Sequence, residues 1–198
     1  MTTGRFIAFE GGEASGKSTQ AARLSRSLGS VLTWEIYDER IRSWLLDPDG
    51  APMEAETEAL LVAADRAQHV ATVIRPALLS GRDVVCDRYA GSSLAYQGHG
   101  RGLPLEFVRQ LSEFASGGLW PDLVVLLDVP ESEASARLRA GGVVPDRLEA
   151  ESAAFHLRIA EGYRALAAAD PTWVVVDGMG SVDVVFERVE AAVKSYFS

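Results

Sequence analysis

The stretch Gly11-Gly12-Glu13-Ala14-Ser15-Gly16-Lys17-Ser18 fits the pattern G-x-x-x-x-G-K-[ST]. It lies between an apolar run, Phe6-Ile7-Ala8-Phe9, and a segment from Thr19 to Leu28 rich in Ala, Leu, Arg and Gln. A buried strand, a glycine-rich loop and a helix in that order make a phosphate cradle. Glycine permits backbone conformations that turn successive N–H groups inward, and the start of a helix adds partial positive charge where a polyphosphate sits. In such a cradle Lys17 reaches the β- and γ-phosphates of a nucleotide and the Ser18 hydroxyl meets a Mg²⁺ ion. A chance glycine-rich turn carrying a surface lysine would not be bracketed by both a strand and a helix.

At 198 residues the chain is of single-domain size, and no linker or compositional shift divides it, so 1–198 reads as one domain. A formal charge of −9 argues against a nucleic-acid polymer as partner, which calls for a basic face. Lysine occurs only at 17 and 194 while arginine is frequent, a pattern that fits coding bias toward arginine. Cys86 is the only cysteine, which excludes an internal disulfide and fits a reducing compartment. Its neighbours Val84 and Val85 suggest a core thiol. No apolar run approaches a membrane span and Met1 to Arg5 has no secretory signal behind it, so the expectation is a cytoplasmic protein without membrane contact. His69, His99 and His156 are scattered without the spacing of a metal site.

Arg5–Glu10, Ser30–Thr33, Asp83–Asp87, Leu123–Val129 and Trp173–Asp177 are short apolar runs separated by helical patterns. They predict an α/β fold with a five-stranded parallel sheet covered by helices on both faces. Ligands of such sheets collect at the carboxyl ends of the strands, which directs attention to Glu10–Ser18, Trp34–Arg42, Asp87–Tyr96 and the segments after Asp128 and Asp177.

Asp38 is placed to cap a helix with Ile41, Leu45 and Trp44 on its buried face; Arg40 and Arg42 on it are either solvated or within reach of a phosphate. Glu54 to Ser80 is a long helical pattern carrying Arg66 and interrupted near Pro76. Asp87 and Arg88 close a buried strand, where an unpartnered charge is costly; they are either functional or a structural ion pair. The glycine-rich run that follows, through Gly102, reads as a mobile loop before a helix starting near Pro104. Glu131 to Ala140 is helical, and Gly141-Gly142-Val143-Val144-Pro145 breaks the pattern. The segment 139–149, with flanking arginines, reads as a lid that excludes water from a nucleotide or as a plain connection.

Phe6–Gln20, Ala64-Asp65-Arg66-Ala67-Gln68, Asp87-Arg88-Tyr89 through Gln97, Pro121-Asp122 through Val129, and Asp146-Arg147-Leu148-Glu149 resemble, in order, the blocks of the thymidylate kinase family of P-loop nucleoside monophosphate kinases. The likeness spans nearly the whole chain and is far more specific than the cradle alone. It implies the three-layer α/β/α P-loop fold, transfer of the γ-phosphoryl group of ATP to dTMP with Mg²⁺ in dTTP synthesis, and a homodimer. Carried over by position, Gly11, Gly12, Glu13, Ala14, Ser15, Gly16, Lys17, Ser18 and Thr19 would hold ATP, with Ser18 on the metal and Arg137 on adenine. Glu13 would also bond the acceptor 3′-hydroxyl; Arg88 would clamp the acceptor phosphate and Asp87 orient that arginine or the metal's water shell. Arg66 would address thymine, with Ser93, Tyr96 and Gln97 on the deoxyribose side. Because Ala14 and Ser15 bring no cation, Arg139 and Arg147 become the candidates for stabilising the transferring phosphoryl group.

The chain departs from the family pattern at three places. The family's R-E-P-G-G-T stretch is here Trp34-Glu35-Ile36-Tyr37-Asp38, which leaves Tyr37 or Arg40 to replace a contact to the acceptor phosphate. The residue that stacks on thymine is here Val62, and losing an aromatic ring weakens base binding by about 1–3 kcal/mol. The lid carries Gly141 and Gly142 where a cation is expected. These changes leave open an acceptor other than dTMP, including one with a modified base, or a nucleotide-binding partner without turnover.

Overall fold

The computed structural model describes residues 3–141 and 145–198; the expected lid tip, 142–144, lies outside them. Five strands form one parallel sheet in the order β2-β3-β1-β4-β5: β1 Phe6–Glu10, β2 Val31–Trp34, β3 Val84–Asp87, β4 Leu123–Asp128 and β5 Trp173–Asp177. The central strands are apolar at successive positions because both faces of the sheet are covered. In β1, Ile7 and Phe9 face one layer while Phe6 and Ala8 face the other, as the period of two requires. The first layer is α1 (Lys17–Leu28) and α9 (Val182–Tyr196), which supply Ala21, Leu24, Val185, Val189 and Val193. Gly29, at φ 64°, ends α1 in the left-handed conformation that favours glycine.

The opposite layer begins with α2 (Glu39–Leu46) and α3 (Ala55–His69). Asp38 caps α2 by accepting from the N–H groups of Arg40 and Ile41. Leu45 is buried on that helix, whereas Trp44, expected inside, is exposed: the helix is short and half its circumference faces solvent. The chain remains helical past His69 through a π-type stretch, Val70–Ile74, and then α4 (Arg75–Leu79). Widening the turn just ahead of Pro76 accommodates a ring that has no N–H and clashes with the carbonyl four residues back.

The glycine-rich run after β3 is a correction to the expected mobile loop. Ala90–Ser93 forms α5, and Leu94–Gly100 continues as a π-type helix with most of its residues buried, leading to α6 (Leu105–Ser116). Its glycines are close-approach positions. A methyl at Gly91 would sit 2.7 Å from the Glu10 carboxylate, and one at Gly100 2.7 Å from the ring of buried Phe155. The remaining helices are α7 (Glu131–Gly141) and α8 (Ala153–Ala169); α8 packs Phe155, Ile159 and Tyr163 against Ala95, Tyr96 and Leu126. No described helix is long and apolar enough to cross a membrane.

Candidate active site

Pairing of β1 with β3, Phe9 opposite Asp87, sets the loop after one strand beside the loop after the other. The carboxyl ends of these neighbours therefore bring Gly11–Ser18 and Asp87–Arg88 to one place, and Trp34 of β2, opposite Asp87, extends the row. A cleft of about 590 Å³ opens there, lined on one side by Glu13, Ala14, Gly16, Lys17, Ser18 and Thr19. Across it lie Val62, Arg66, Arg88, Ser93, Tyr96 and Gln97.

The cradle is held by its backbone. Gly11 (φ 145°) and Gly16 (φ 96°) take conformations that glycine accepts, and Ala14 (φ 52°) is one of two non-glycine residues with positive φ among the described residues. A side chain at Gly11 would also meet the Leu127 carbonyl at 2.6 Å. The Lys17 ammonium donates to the Gly12 carbonyl at 2.5 Å and to Ser15 Oγ at 3.3 Å. Burial, reinforced by Arg88, lowers its pKa to about 8. Ser18 Oγ donates to Asp87 Oδ2 at 2.5 Å, while Asp87 Oδ1 is buried without a hydrogen-bond partner.

Arg88 is the other such non-glycine residue among those described, at φ 68°. Its guanidinium donates to Glu13 at 2.7 Å and, more weakly, to the Gly11 carbonyl, Ser92 Oγ and Tyr163 OH at 3.3–3.4 Å. Burial raises the Glu13 pKa, but Arg88 and Lys17 outweigh that and bring it to about 2. Tyr96 OH also donates to Glu13, linking cradle to opposite wall. Glu10, fully buried at the end of β1, explains how Arg88 keeps its unusual backbone. Its carboxylate accepts the N–H groups of Tyr89 and Ser92 at 2.9 and 3.0 Å, Ser92 Oγ at 2.6 Å and Tyr163 OH at 3.1 Å. Strain of this kind persists where surroundings over-determine it.

Arg66 lies at the cleft floor, 1% exposed. Nε and Nη2 donate to Glu35 at 3.1 and 2.6 Å, Nη2 also to Ser93 Oγ and Nη1 to Ser112 Oγ, both at 3.0 Å. The guanidinium plane is thereby fixed, and its charge balanced by one buried carboxylate. On the donor side Arg137 donates to the Ala14 carbonyl at 3.4 Å and the Gly178 carbonyl at 3.1 Å, joining α7 to the cradle and to the loop after β5.

The arrangement is a polyphosphate cradle facing a second compartment whose polar groups suit a smaller anion-bearing ligand. The thymidylate kinase family model matches residues 9–189. The chain belongs to the thymidylate kinase family. It is 47% identical over 209 residues to the thymidylate kinase of Nitratidesulfovibrio vulgaris (strain DSM 19637 / Miyazaki F), covering 98% of this chain and 97% of that protein. It is 48% identical over 198 residues to the thymidylate kinase of Thermomicrobium roseum (strain ATCC 27502 / DSM 5159 / P-2), with 95% and 93% covered. Against the thymidylate kinase of Synechococcus sp. (strain JA-3-3Ab) it is 46% identical over 199 residues, with 96% and 95% covered.

Within this thymidylate kinase fold several expected residues stand away from the cleft. Tyr37 stacks its ring on His69 at 4.7 Å, and its N–H is bonded to Asp65. The Arg40 side chain is 90% exposed and paired with Asp38. Arg42, half a turn further on, lines the cleft instead, because a half-turn along a helix reverses the direction of the side chain. Its place in a helix at a strand end was a legible signal; the choice between 40 and 42 required the helix phase. Arg139 is exposed on the last turn of α7. Arg147 points away from the cradle, with Nε on the Leu45 carbonyl at 2.7 Å and Nη2 on Glu58 at 2.7 Å. Glu58 and Tyr163 carry no signal in the sequence, and Glu10, although it opens the segment Glu10–Ser18 at the end of β1, carries none of its role beneath Arg88, since a lone carboxylate or tyrosine inside an apolar pattern bears no local mark of its partners.

Proposed function

We propose that the protein transfers the γ-phosphoryl group of ATP to dTMP, giving dTDP and ADP on the route to dTTP. The observation that carries this reading is Glu13, a cradle residue bonded directly to Arg88 and Tyr96 of the facing wall, so that donor and acceptor compartments share one polar seam. An oxygen of the acceptor phosphate attacks the γ-phosphorus, and the bond from that phosphorus to the β–γ bridging oxygen breaks as ADP leaves. Such transfer depends on positioning and charge neutralisation. Lys17 addresses the β- and γ-phosphates, Arg88 and Arg42 the acceptor phosphate, and Arg66 the base, with Val62 beside it and Ser93, Tyr96 and Gln97 on the deoxyribose side. Arg137 is assigned to adenine, and Arg139, exposed on the last turn of α7, is the cation proposed for the transferring group.

Ser18 Oγ and the partnerless Oδ1 of Asp87 are hard oxygen donors that suit Mg²⁺ and its water shell. The ion, when bound with ATP, neutralises phosphate charge. The thymidylate kinase names of the relatives support dTMP over other acceptors. A cytoplasmic homodimer is part of the same reading. Leu60, Ala64, Ala67 and Ala71 form an exposed apolar stripe at helical spacing, and Phe107 and Phe114, seven residues apart on α6, are exposed nearby. A second copy packing helix to helix would cover them.

The test is coupled ADP release with Mg²⁺ and ATP, offering dTMP, dUMP, dCMP, dGMP and dAMP separately. Turnover that depends on dTMP and is lost in Arg88→Ala is the expected result. Turnover with another monophosphate, or binding of ATP with none of the five consumed, would overturn it.

A further inference from the structure

Behind the acceptor wall, outside the cradle, Glu58 of α3 is 0% exposed and gathers three donor side chains from two separate segments, Gln97 and Arg101 at the end of the π-type helix and Arg147 beyond α7. Gln97 Nε2 donates to Oε1 at 2.8 Å; Arg101 donates through Nε and Nη2 to Oε2 at 3.2 and 3.0 Å; Arg147 Nη2 donates to Oε2 at 2.7 Å. Arg101 bonds Glu151 as well and stands 4.5 Å from the centroid of the Phe155 ring. Two guanidinium groups and two carboxylates thus balance in a mostly buried cluster. Burial would raise the Glu58 carboxyl, but Arg101, Gln97 and Arg147 together hold it below its ordinary range.

The residues around Arg147 form a self-capped turn. Asp146 Oδ1 accepts the N–H groups of Leu148 and Glu149, both at 2.9 Å, and Glu149 Oε2 accepts the Asp146 N–H at 3.1 Å. Asp146, Leu148 and Glu149 line the cleft, while Arg147 reaches the other way, to Glu58 and to the Leu45 carbonyl, and its N–H meets the Leu46 carbonyl at 3.2 Å. A turn tied internally in this way shifts as a unit when its anchor is released.

We infer that Glu58 is a positioning residue of the reaction: through Arg147 it seats the 146–149 turn at the mouth of the cleft, and through Gln97 it fixes the acceptor wall. Arg147 is then an anchor and makes no contact with the transferring phosphoryl group. Seating both from one buried carboxylate ties the acceptor side of the cleft to residues beyond α7. This inference rests on the assignment of that compartment to dTMP.

The experiment compares wild type, Arg147→Met, Glu58→Gln and the double variant by steady-state kinetics, by calorimetric titration with dTMP, and by thermal unfolding. An anchor predicts that each single variant raises the KM and Kd for dTMP about tenfold with a smaller change in kcat. The double variant should lie within about threefold of the worse single, because both substitutions release the same turn. A kcat lowered about 100-fold in Arg147→Met with the KM for dTMP unchanged would overturn the inference and place the arginine on the phosphoryl group. Multiplying effects in the double variant would also overturn it, as would Arg147→Met with a lowered unfolding temperature but wild-type kinetic constants. If Glu58→Gln does not fold, Arg147→Met decides alone, since Glu58 keeps Arg101 and Gln97. Wild type that neither binds nor turns over dTMP overturns the acceptor assignment and this inference with it; unaffected variants of an active wild type overturn only the role of Glu58.

Discussion

Lys17 is held in the fold at a cost. Burial and the charge of Arg88 lower its pKa from 10.5 to about 8, so below pH 8 the folded state carries a proton it binds less readily than the unfolded chain does. Between about 8 and 10.5 the unfolded state binds more protons, and stability gained from Lys17 deprotonation rises with pH. Lys17→Met should therefore lose about 10²–10³ in kcat yet stabilise the protein at pH 7 by about 1–3 kcal/mol, an advantage that fades toward pH 10; urea unfolding at the two pH values checks this. In the wild type, kcat/KM for ATP should fall as the pH rises through 8, while kcat at saturating ATP persists higher because bound phosphates retain the proton. Arg66 and Glu35 differ in kind, being a buried pair with side chains 1% and 3% exposed. Arg66→Met should cost about 3–5 kcal/mol by leaving Glu35 unpaired, and Arg66→Met with Glu35→Leu should cost less than the single change. Denaturant midpoints of the two variants test the sign.

At the level of the elements, the helical path from Ala90 to Gly100 decides the shape of the acceptor wall, since it carries Ser93, Tyr96 and Gln97. Its glycines are not equivalent. A methyl at Gly98 would meet the Leu105 side-chain tip at 2.5 Å, and Leu105 is 42% exposed and able to move aside; at Gly100 it would meet the ring of Phe155, 2% exposed and closely packed. Gly100→Ala should therefore lower stability by about 1–3 kcal/mol, and Gly98→Ala by well under half of that, as read by thermal unfolding. If the wall moves with the clash, the KM for dTMP rises in Gly100→Ala and not in Gly98→Ala.

Across the molecule, the parallel order β2-β3-β1-β4-β5 places the cradle and the Asp87-Arg88 pair on adjacent strands, and the helices α3 and α6 carry exposed apolar groups on the far side of the acceptor wall. A dimer formed through them would stiffen that wall from behind. Leu60→Glu together with Phe114→Glu should give a monomer by light scattering, with the cradle intact and ATP binding retained. A species unchanged in mass between wild type and variant would remove these helices from the interface.

Local chemistry in the chain was enough for the strands, the cradle and its helix, and the capping of α2. A strand buried on both faces is apolar throughout, a left-handed turn takes glycine, and an Asp cap lies next to the N–H groups it satisfies; each signal is complete within a few residues. The Glu58 cluster, the Glu10 anchor beneath Arg88, and the helix in place of an expected loop after β3 were not legible in that way. Glu58 lies 43 positions from Arg101 and 89 from Arg147, and Gly100 is defined by a ring on α8. Glycine in a sequence reads equally as freedom or as lack of space, and an arginine equally as a ligand contact or an anchor. Which of the two holds depends on the partner that folding brings within hydrogen-bond or van der Waals reach, and those partners come from distant parts of the chain.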